Sequence, residues 1–171
     1  MNGDIQTIRL YNLKIHSNGT PYDALADTNL NSRLARISPQ RDKMAMIMVH
    51  SPVLEIVHIG ERNSRKFLLD ANPPPGTFDL DMLHNGTLTK YFQGIDVTEN
   101  YIYLLSDNEK NMDSEKKQTI KVLDWDGQPR YQYTIPEQYQ LGMLVVNEEK
   151  NEFYGLSYED DKIYQFNYFF E

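Results

Sequence analysis

The sequence contains no cysteine, which excludes disulfide bonds and thiolate metal sites. Basic residues are also scarce, since 17 Lys and Arg against 25 Asp and Glu give a net charge of -8. A nucleic-acid partner is therefore not expected, because binding to a phosphate backbone requires clustered cations. No apolar run approaches the ~20 residues of a membrane-spanning helix. The start, MNGDIQTIRL, lacks the basic and apolar regions of a signal peptide. The absence of thiols does not indicate a compartment, because such a chain suits reducing and oxidising compartments alike.

What the chain does contain is a series of short alternating stretches rich in β-branched and aromatic residues. Its 12 Tyr and 7 Phe suit the half-buried surface of a sheet. The pattern predicts an all-β fold, with strands within residues 8–15, 43–50, 53–60, 101–106, 119–125, 130–135, 152–158 and 162–170.

One arrangement of strand, turn, strand, loop and strand occurs three times. It starts in LARISPQRDKMAMIM, GIDVTENYIYLLS and MLVVNEEKNEFYGLSY, whose first turns align at Ser38, Thr98 and Asn147. The spacing is close to the ~40 to 50 residues of a propeller blade. The sequence thus predicts antiparallel four-stranded blades of a β-propeller, about three to three and a half of them. They would form a single repeat domain over residues 1–171, with a partial blade at 1–31 and further units at 32–75, 88–135 and 139–171.

Two local expectations follow from this alignment. Ile37, Val97 and Val146 should occupy equivalent buried positions on the first strand of each unit. The sequence DWDG, ending at Gly127, should form the hairpin between the third and fourth strands of its unit. An Asp-Gly pair favours the positive φ angles of a tight primed turn.

The same segments carry a family resemblance. ISPQRDKMAMIM, VLEIVHIG, GIDVTENYIYLLS, KVLDWDGQP and EKNEFYGLSYEDDKIYQF, in that order, resemble the TolB-like six-bladed propeller proteins common in Bacteroidetes, many of which are exported or lipid-anchored. The similarity covers roughly residues 32–166. It implies a propeller and a periplasmic or envelope location, and it brings no catalytic residues. The chain departs from the family in having about half the length of six blades.

No motif of catalytic, cofactor or metal chemistry stands out. The four histidines, His16, His50, His58 and His84, lie in separate segments without zinc-ligand spacing. The acidic clusters do not match a calcium loop, and GLSYE lacks the second glycine of a nucleophile elbow. The sequence therefore predicts no catalytic residue, no metal and no cofactor.

Topology indicates where a ligand would bind. In an up-and-down blade, the loops between the second and third strands share one face with the connections between blades, and the short turns share the other. Function usually resides in the longer loops of a rigid scaffold. The candidate residues on this ligand face are His50, Tyr91, Asp107, Tyr158 and Asp160.

The favoured hypothesis is a non-enzymatic binding or scaffold module of the bacterial cell envelope, with a protein or glycan ligand. The alternative is a propeller-type hydrolase or lyase whose metal sits at the central channel, with ligands drawn from different blades. An incomplete ring also predicts self-association, for example a homodimer in which the N-terminal strand of one copy completes the last blade of the other. A fragment whose missing half closes the ring is the competing explanation.

Overall fold

The computed structural model describes residues 14–16, 30–70, 77–79, 89–107 and 118–168. The predicted all-β class is confirmed within these ranges, where three antiparallel sheets of four, four and three strands follow one another along the chain. Two short strands, β1 (Lys14–His16) and β6 (Thr77–Asp79), form a separate parallel pair. This parallel pairing was not predicted, because two strands of three residues leave no periodic signal. Residues 8–13 of the first predicted strand lie outside the described ranges.

Each antiparallel sheet keeps the order of the sequence. The first contains β2 (Arg33–Ile37), β3 (Lys43–Met48), β4 (Val53–His58) and β5 (Asn63–Leu68). The second contains β7 (Phe92–Val97), β8 (Tyr101–Asp107), β9 (Gln118–Asp124) and β10 (Pro129–Thr134). The third contains β11 (Leu141–Asn147), β12 (Glu152–Ser157) and β13 (Lys162–Asn167), with a short 3-10 helix, Glu148–Lys150, between its first two strands.

The second sheet lies between the other two, and strand β8 shows this most clearly. Successive side chains of a strand point to opposite faces. Ile102 and Leu104 pack into a core shared with the first sheet, whereas Tyr103 and Leu105 pack into a core shared with the third. All four side chains are fully buried, which explains why β8 is a continuous apolar run.

The first strands of the three sheets, β2, β7 and β11, are neighbours, and we call them the inner strands. Strand β7 contacts both β2 and β11. Gly94 allows the close approach to β11, since a Cβ atom at this position would lie 3.3 Å from the Leu144 backbone nitrogen. The sheets therefore pack face to face, and their inner strands lie in contact with one another.

The turn that follows each inner strand is closed in the same way, at the three positions that the sequence alignment paired. A side-chain oxygen of the first turn residue accepts a hydrogen bond from a backbone N–H a few residues later. The bonds are Ser38 Oγ with Lys43 N at 3.1 Å, Thr98 Oγ1 with Tyr101 N at 3.1 Å, and Asn147 Oδ1 with Lys150 N at 3.3 Å.

Two local expectations need correction. Ile37 is 54% exposed and not buried, because Leu34 points into the core and Ile37, three residues further along the strand, points to the other face. Val97 and Val146 are only half-buried, Val97 against the core of the first two sheets and Val146 against the core of the last two. Gly127 has the expected positive φ of 77°, but it is the only residue of its turn with a positive φ. The turn is therefore not of the primed type. Gly127 N–H donates to Asp124 O, and the residues before Gly127 have negative φ angles, which is the pattern of a bulged hairpin.

Candidate functional site

Hydrogen bonds link the short turns at one end of the sheets. Gln40 Nε2, in the first turn of the first sheet, donates to Glu99 Oε1 of the second sheet at 2.5 Å. Asn100 Nδ2 of the second sheet lies 3.5 Å from Glu148 Oε1 of the third. These contacts are exposed and join equivalent turns. They therefore hold the three sheets together at this end of the molecule.

At the opposite end the structure brings together three of the predicted residues, His50, Tyr91 and Asp107. Tyr91 N–H donates to Val49 O at 2.8 Å, and Asp107 N–H donates to Tyr91 O at 3.1 Å. The His50 ring nitrogen Nδ1 lies 3.2 Å from Thr89 O and donates to it. The three residues thus join the β3–β4 loop, the start of β7 and the end of β8.

Asp107 is held by two glutamines. The Gln93 side-chain amide donates to one oxygen of its carboxylate, and Gln118 Nε2 donates to the other at 2.8 Å. Gln118 also makes a reciprocal pair with the backbone of Leu141, in which Nε2 donates to O at 2.9 Å and Leu141 N donates to Oε1 at 2.7 Å. The network connects the second and third sheets at the end where the candidate residues lie.

Tyr158 lies just after β12 and is next to this network. Its side chain is 64% exposed. The ring packs so closely on Gly142 that a Cβ atom there would lie 2.0 Å from it. Glycine at position 142 is therefore required for the observed position of the ring, which leaves much of an aromatic surface open to solvent.

Asp160, the fifth predicted residue, makes its contacts within its own hairpin. Its carboxylate accepts a hydrogen bond from the Tyr164 hydroxyl and lies 3.1 Å from Lys162 Nζ. The Tyr164 hydrogen bond, with a contribution from Lys162, lowers the pKa of Asp160 to about 2. The structure therefore gives Asp160 a local role within the β12–β13 hairpin.

Between the inner strands lies a concavity of about 240 Å³, which we call the inner-strand cleft. Its chemistry combines one guanidinium, one amide and one aromatic ring with apolar side chains. The lining residues are Leu34 and Arg36 of β2, Gln93, Gly94 and Ile95 of β7, Gly142, Met143 and Leu144 of β11, and Tyr158.

The charge in the cleft comes from Arg36, whose side chain is 46% exposed. Its Nε lies 3.9 Å from Asp96 Oδ1, and its Nη1 donates to Ala35 O at 3.0 Å. The other oxygen of Asp96 accepts the Val146 N–H at 2.7 Å, so one carboxylate contacts both neighbouring inner strands. A guanidinium has five N–H donors, which leaves some to receive a ligand.

A larger groove, of about 700 Å³, lies between the outer parts of the first two sheets. Lys66, Lys121 and Arg130 are among its lining residues. Arg130 donates to Asp124 Oδ2 through both Nε and Nη2, at 2.9 and 2.6 Å. None of the five predicted residues lines this groove, whereas Tyr158 lines the inner-strand cleft, so we take the cleft as the candidate site.

The described residues contain no group of three or more His, Asp or Glu side chains placed to hold a metal ion. In the same ranges no helix has both the length and the apolar character needed to cross a membrane.

Sequence reasoning identified Tyr158 but missed Arg36, Gln93 and Gly142. Gly142 lies outside the predicted strands, just before the apolar stretch that begins at Met143, so it carried no usable signal. Arg36 and Gln93 carried none, because a single polar residue on an inner strand resembles any solvent-facing residue. No family model matches this chain, and a search of curated proteins gives no significant match either.

Proposed function

We propose that this chain is a non-enzymatic binding module of the β-propeller type and that its ligand, a glycan, binds in the inner-strand cleft. The observation that carries the proposal is the exposed Tyr158 ring, which is packed on Gly142 beside Arg36 and Gln93. Binding sites typically combine an apolar surface with a few polar groups that set the orientation of the ligand.

The chemistry of the cleft matches a sugar ring. One face of a sugar carries C–H groups that pack on an aromatic surface, and its hydroxyl groups accept hydrogen bonds from guanidinium and amide donors. A volume of about 240 Å³ is below the ~300 Å³ at which small-molecule sites usually begin, so the cleft would hold one ring of a longer chain. The Arg36 cation favours a sugar that carries a carboxylate.

Three structural features support the propeller interpretation. The sheets follow each other in sequence order, the second sheet packs against a neighbour on each face, and the inner strands are in contact. Propeller blades are arranged in the same way around a central axis. The resemblance to TolB-like propellers supports a place in the bacterial envelope, where glycans are abundant ligands.

Calorimetric titration with two probes tests the proposal, one neutral (cellohexaose) and one acidic (hexagalacturonic acid). We expect the acidic probe to bind more tightly. Tyr158→Ala removes the aromatic surface, and Gly142→Ala forces the ring away from its position, so each should weaken binding at least tenfold. Gly60→Ala is the matched control, because a Cβ atom at residue 60 has nothing within 4 Å.

Two results would contradict the proposal. One is the absence of heat with either oligosaccharide at millimolar concentration. The other is equal affinity of Gly142→Ala and Gly60→Ala for the probe that binds, which would place the ligand elsewhere.

A further inference from the structure

Two β-bulges at equivalent positions place residues of neighbouring inner strands in the cleft. The register of β7 with β8 shifts at Gln93, and the register of β11 with β12 shifts at Gly142. A bulge redirects a side chain, and bulges are frequent beside active sites. Both bulge residues line the inner-strand cleft, whereas β2 pairs with β3 in an unbroken register.

Each of the two bulges receives a side chain from the next part of its own sheet. Asp107 and Tyr158 are equivalent, because each follows the serine that pairs with the residue before the bulge. In the third sheet the Tyr158 ring packs on Gly142. In the second sheet the Gln93 side-chain amide donates to the Asp107 carboxylate instead. The second bulge thus supplies the aromatic surface of the cleft, and the first supplies a polar group.

The orientation of this polar group can be followed from Gln118, whose own amide is fixed by the backbone of Leu141. The Gln118 oxygen accepts the Leu141 N–H at 2.7 Å, and the Gln118 nitrogen donates to the Leu141 carbonyl oxygen at 2.9 Å. A flipped amide would place donor against donor and acceptor against acceptor. The same nitrogen donates its second proton to Asp107 Oδ1 at 2.8 Å, so both of its N–H groups are used.

Asp107 transmits this orientation to Gln93. An ionised carboxylate only accepts hydrogen bonds, and while Oδ1 is bonded to Gln118, Oδ2 accepts an N–H from Gln93. The nitrogen of the Gln93 amide is therefore turned to Asp107, and its oxygen is turned away. Since Gln93 is half-buried and lines the cleft, its amide offers a ligand the acceptor Oε1 beside the remaining N–H.

We propose that Asp107 is a positioning residue that holds Gln93 Oε1 toward the ligand, and that the cleft thereby selects an acidic sugar with a free hydroxyl group near its carboxylate. This inference rests on the proposed glycan-binding function. Arg36 supplies donors for the carboxylate, and Gln93 supplies an acceptor for the hydroxyl proton, from neighbouring inner strands. A site built to bond a ligand hydroxyl rejects an analogue that lacks it, because the acceptor is then left unpaired.

Asp107→Asn tests the orientation, because Gln118 determines how the new amide is turned. Its oxygen must face Gln118 and its nitrogen must face Gln93, so the Gln93 amide flips and presents its NH2 group to the cleft. In NMR spectra of the ligand-free protein, the Gln93 amide proton bonded to the carboxylate should lose its downfield shift. Asp126→Asn is the matched control: its side chain is 79% exposed in the turn before β10, and the Gln93 signals should not change.

Calorimetric titration tests the selectivity with two probes, hexagalacturonic acid and the same oligomer with its hydroxyl groups O-methylated and its acid groups free. An ether oxygen has no proton for Gln93 Oε1, so wild type should bind the methylated probe at least tenfold more weakly. The flipped amide of Asp107→Asn can donate to an ether oxygen, so this ratio should fall at least threefold. The size of the methyl groups is the same for both proteins and cancels in the comparison. Asp126→Asn should keep the wild-type ratio.

The two measurements separate this proposal from the function on which it rests. Gln93 amide signals that are the same in wild type and Asp107→Asn would overturn the positioning role, and so would an unchanged ratio of affinities, while glycan binding itself would stand. The absence of heat with both probes would overturn the glycan function and the selectivity together. The amide signals of the ligand-free protein would still decide whether Asp107 orients Gln93.

Discussion

The Gln118 side chain forms two hydrogen bonds with the backbone of Leu141, and thereby imitates a strand pairing between two different sheets. Gln118 is only 2% exposed, so water cannot replace these bonds if the side chain is lost. We expect Gln118→Leu to leave the N–H and C=O of Leu141 unpaired and to lower the free energy of unfolding by about 2 to 4 kcal/mol. Urea denaturation followed by circular dichroism measures this change.

The pH dependence of Gln118→Glu separates hydrogen bonding from packing. An ionised carboxylate can accept from the Leu141 N–H, but it has no proton to donate to the carbonyl and it would repel the Asp107 carboxylate, so the variant should be destabilised at neutral pH. Protonation restores a donor, and the stability difference from wild type should shrink as the pH falls. A difference that does not change with pH would show that the loss comes from packing alone.

Gly127 and Arg62 make a contrasting pair in the turns before β10 and β5. Both have a positive φ, of 77° and 56°. A Cβ atom on Gly127 would also lie 2.4 Å from the Phe67 ring of the first sheet. We expect Gly127→Val to destabilise the chain by more than about 1 kcal/mol, and Arg62→Gly to be neutral or stabilising, because glycine adopts this φ without strain. Melting temperatures that fall equally in both variants would refute the argument from φ.

The Asp96 carboxylate offers a test of how the inner strands are joined. Asp96→Asn keeps an oxygen for the Val146 N–H and loses only the 3.9 Å ion pair with Arg36. We expect a loss of stability of less than about 1 kcal/mol, because partly exposed ion pairs contribute little. Asp96→Ala should cost about 1 to 3 kcal/mol, since it leaves a backbone N–H without its partner. Equal unfolding midpoints in urea for the two variants would contradict this ordering.

Alkaline pH should weaken the contact between the second and third sheets. Burial raises the pKa of Tyr133 to about 12, and it also raises the pKa of Tyr103. Between about pH 10 and pH 12, the unfolded chain loses tyrosine protons that the folded chain retains, so the free energy of unfolding falls as the pH rises. Below about pH 10 these groups are protonated in both states and contribute no pH dependence.

Urea denaturation at a series of pH values measures this slope. Tyr133→Phe, which keeps the ring and removes the titrating hydroxyl, should reduce it. Tyr158→Phe is the control, because that ring is largely exposed. A slope that is the same in wild type and Tyr133→Phe would exclude the contribution of this residue.

Most of the sheet architecture could be predicted from the sequence, for a physical reason that Thr98 illustrates. Strand alternation and turn residues are local signals, and the aligned turn residues Ser38, Thr98 and Asn147 do play the same role in the structure. The exposure of Ile37 was not predictable in the same way. The exposure of a strand residue depends on whether a neighbouring sheet covers the face to which it points. The alternation of apolar and polar residues does not show which face is covered.

The cleft and the hydrogen-bond network beside it were harder to predict than the sheets. The bond between Gln118 and Leu141 joins residues 23 positions apart in different sheets, and no sequence pattern marks a glutamine that bonds to a distant backbone. Tyr158 was found because loops on one face were considered together. Its neighbour Gly142 becomes informative only when the ring position is known.

The single tryptophan gives the molecule a built-in optical reporter for one of its two sheet interfaces. Trp125 lies in the core between the first and second sheets, its Nε1 donates to Thr98 O at 3.2 Å, and Lys43 Nζ lies 5.5 Å from its ring centroid. The other interface contains stacked Phe153 and Tyr168 and no tryptophan. Tryptophan emission therefore reports separation of the first and second sheets, and tyrosine ellipticity reports separation of the second and third. Recording both signals during unfolding would show which of the two sheet interfaces separates first.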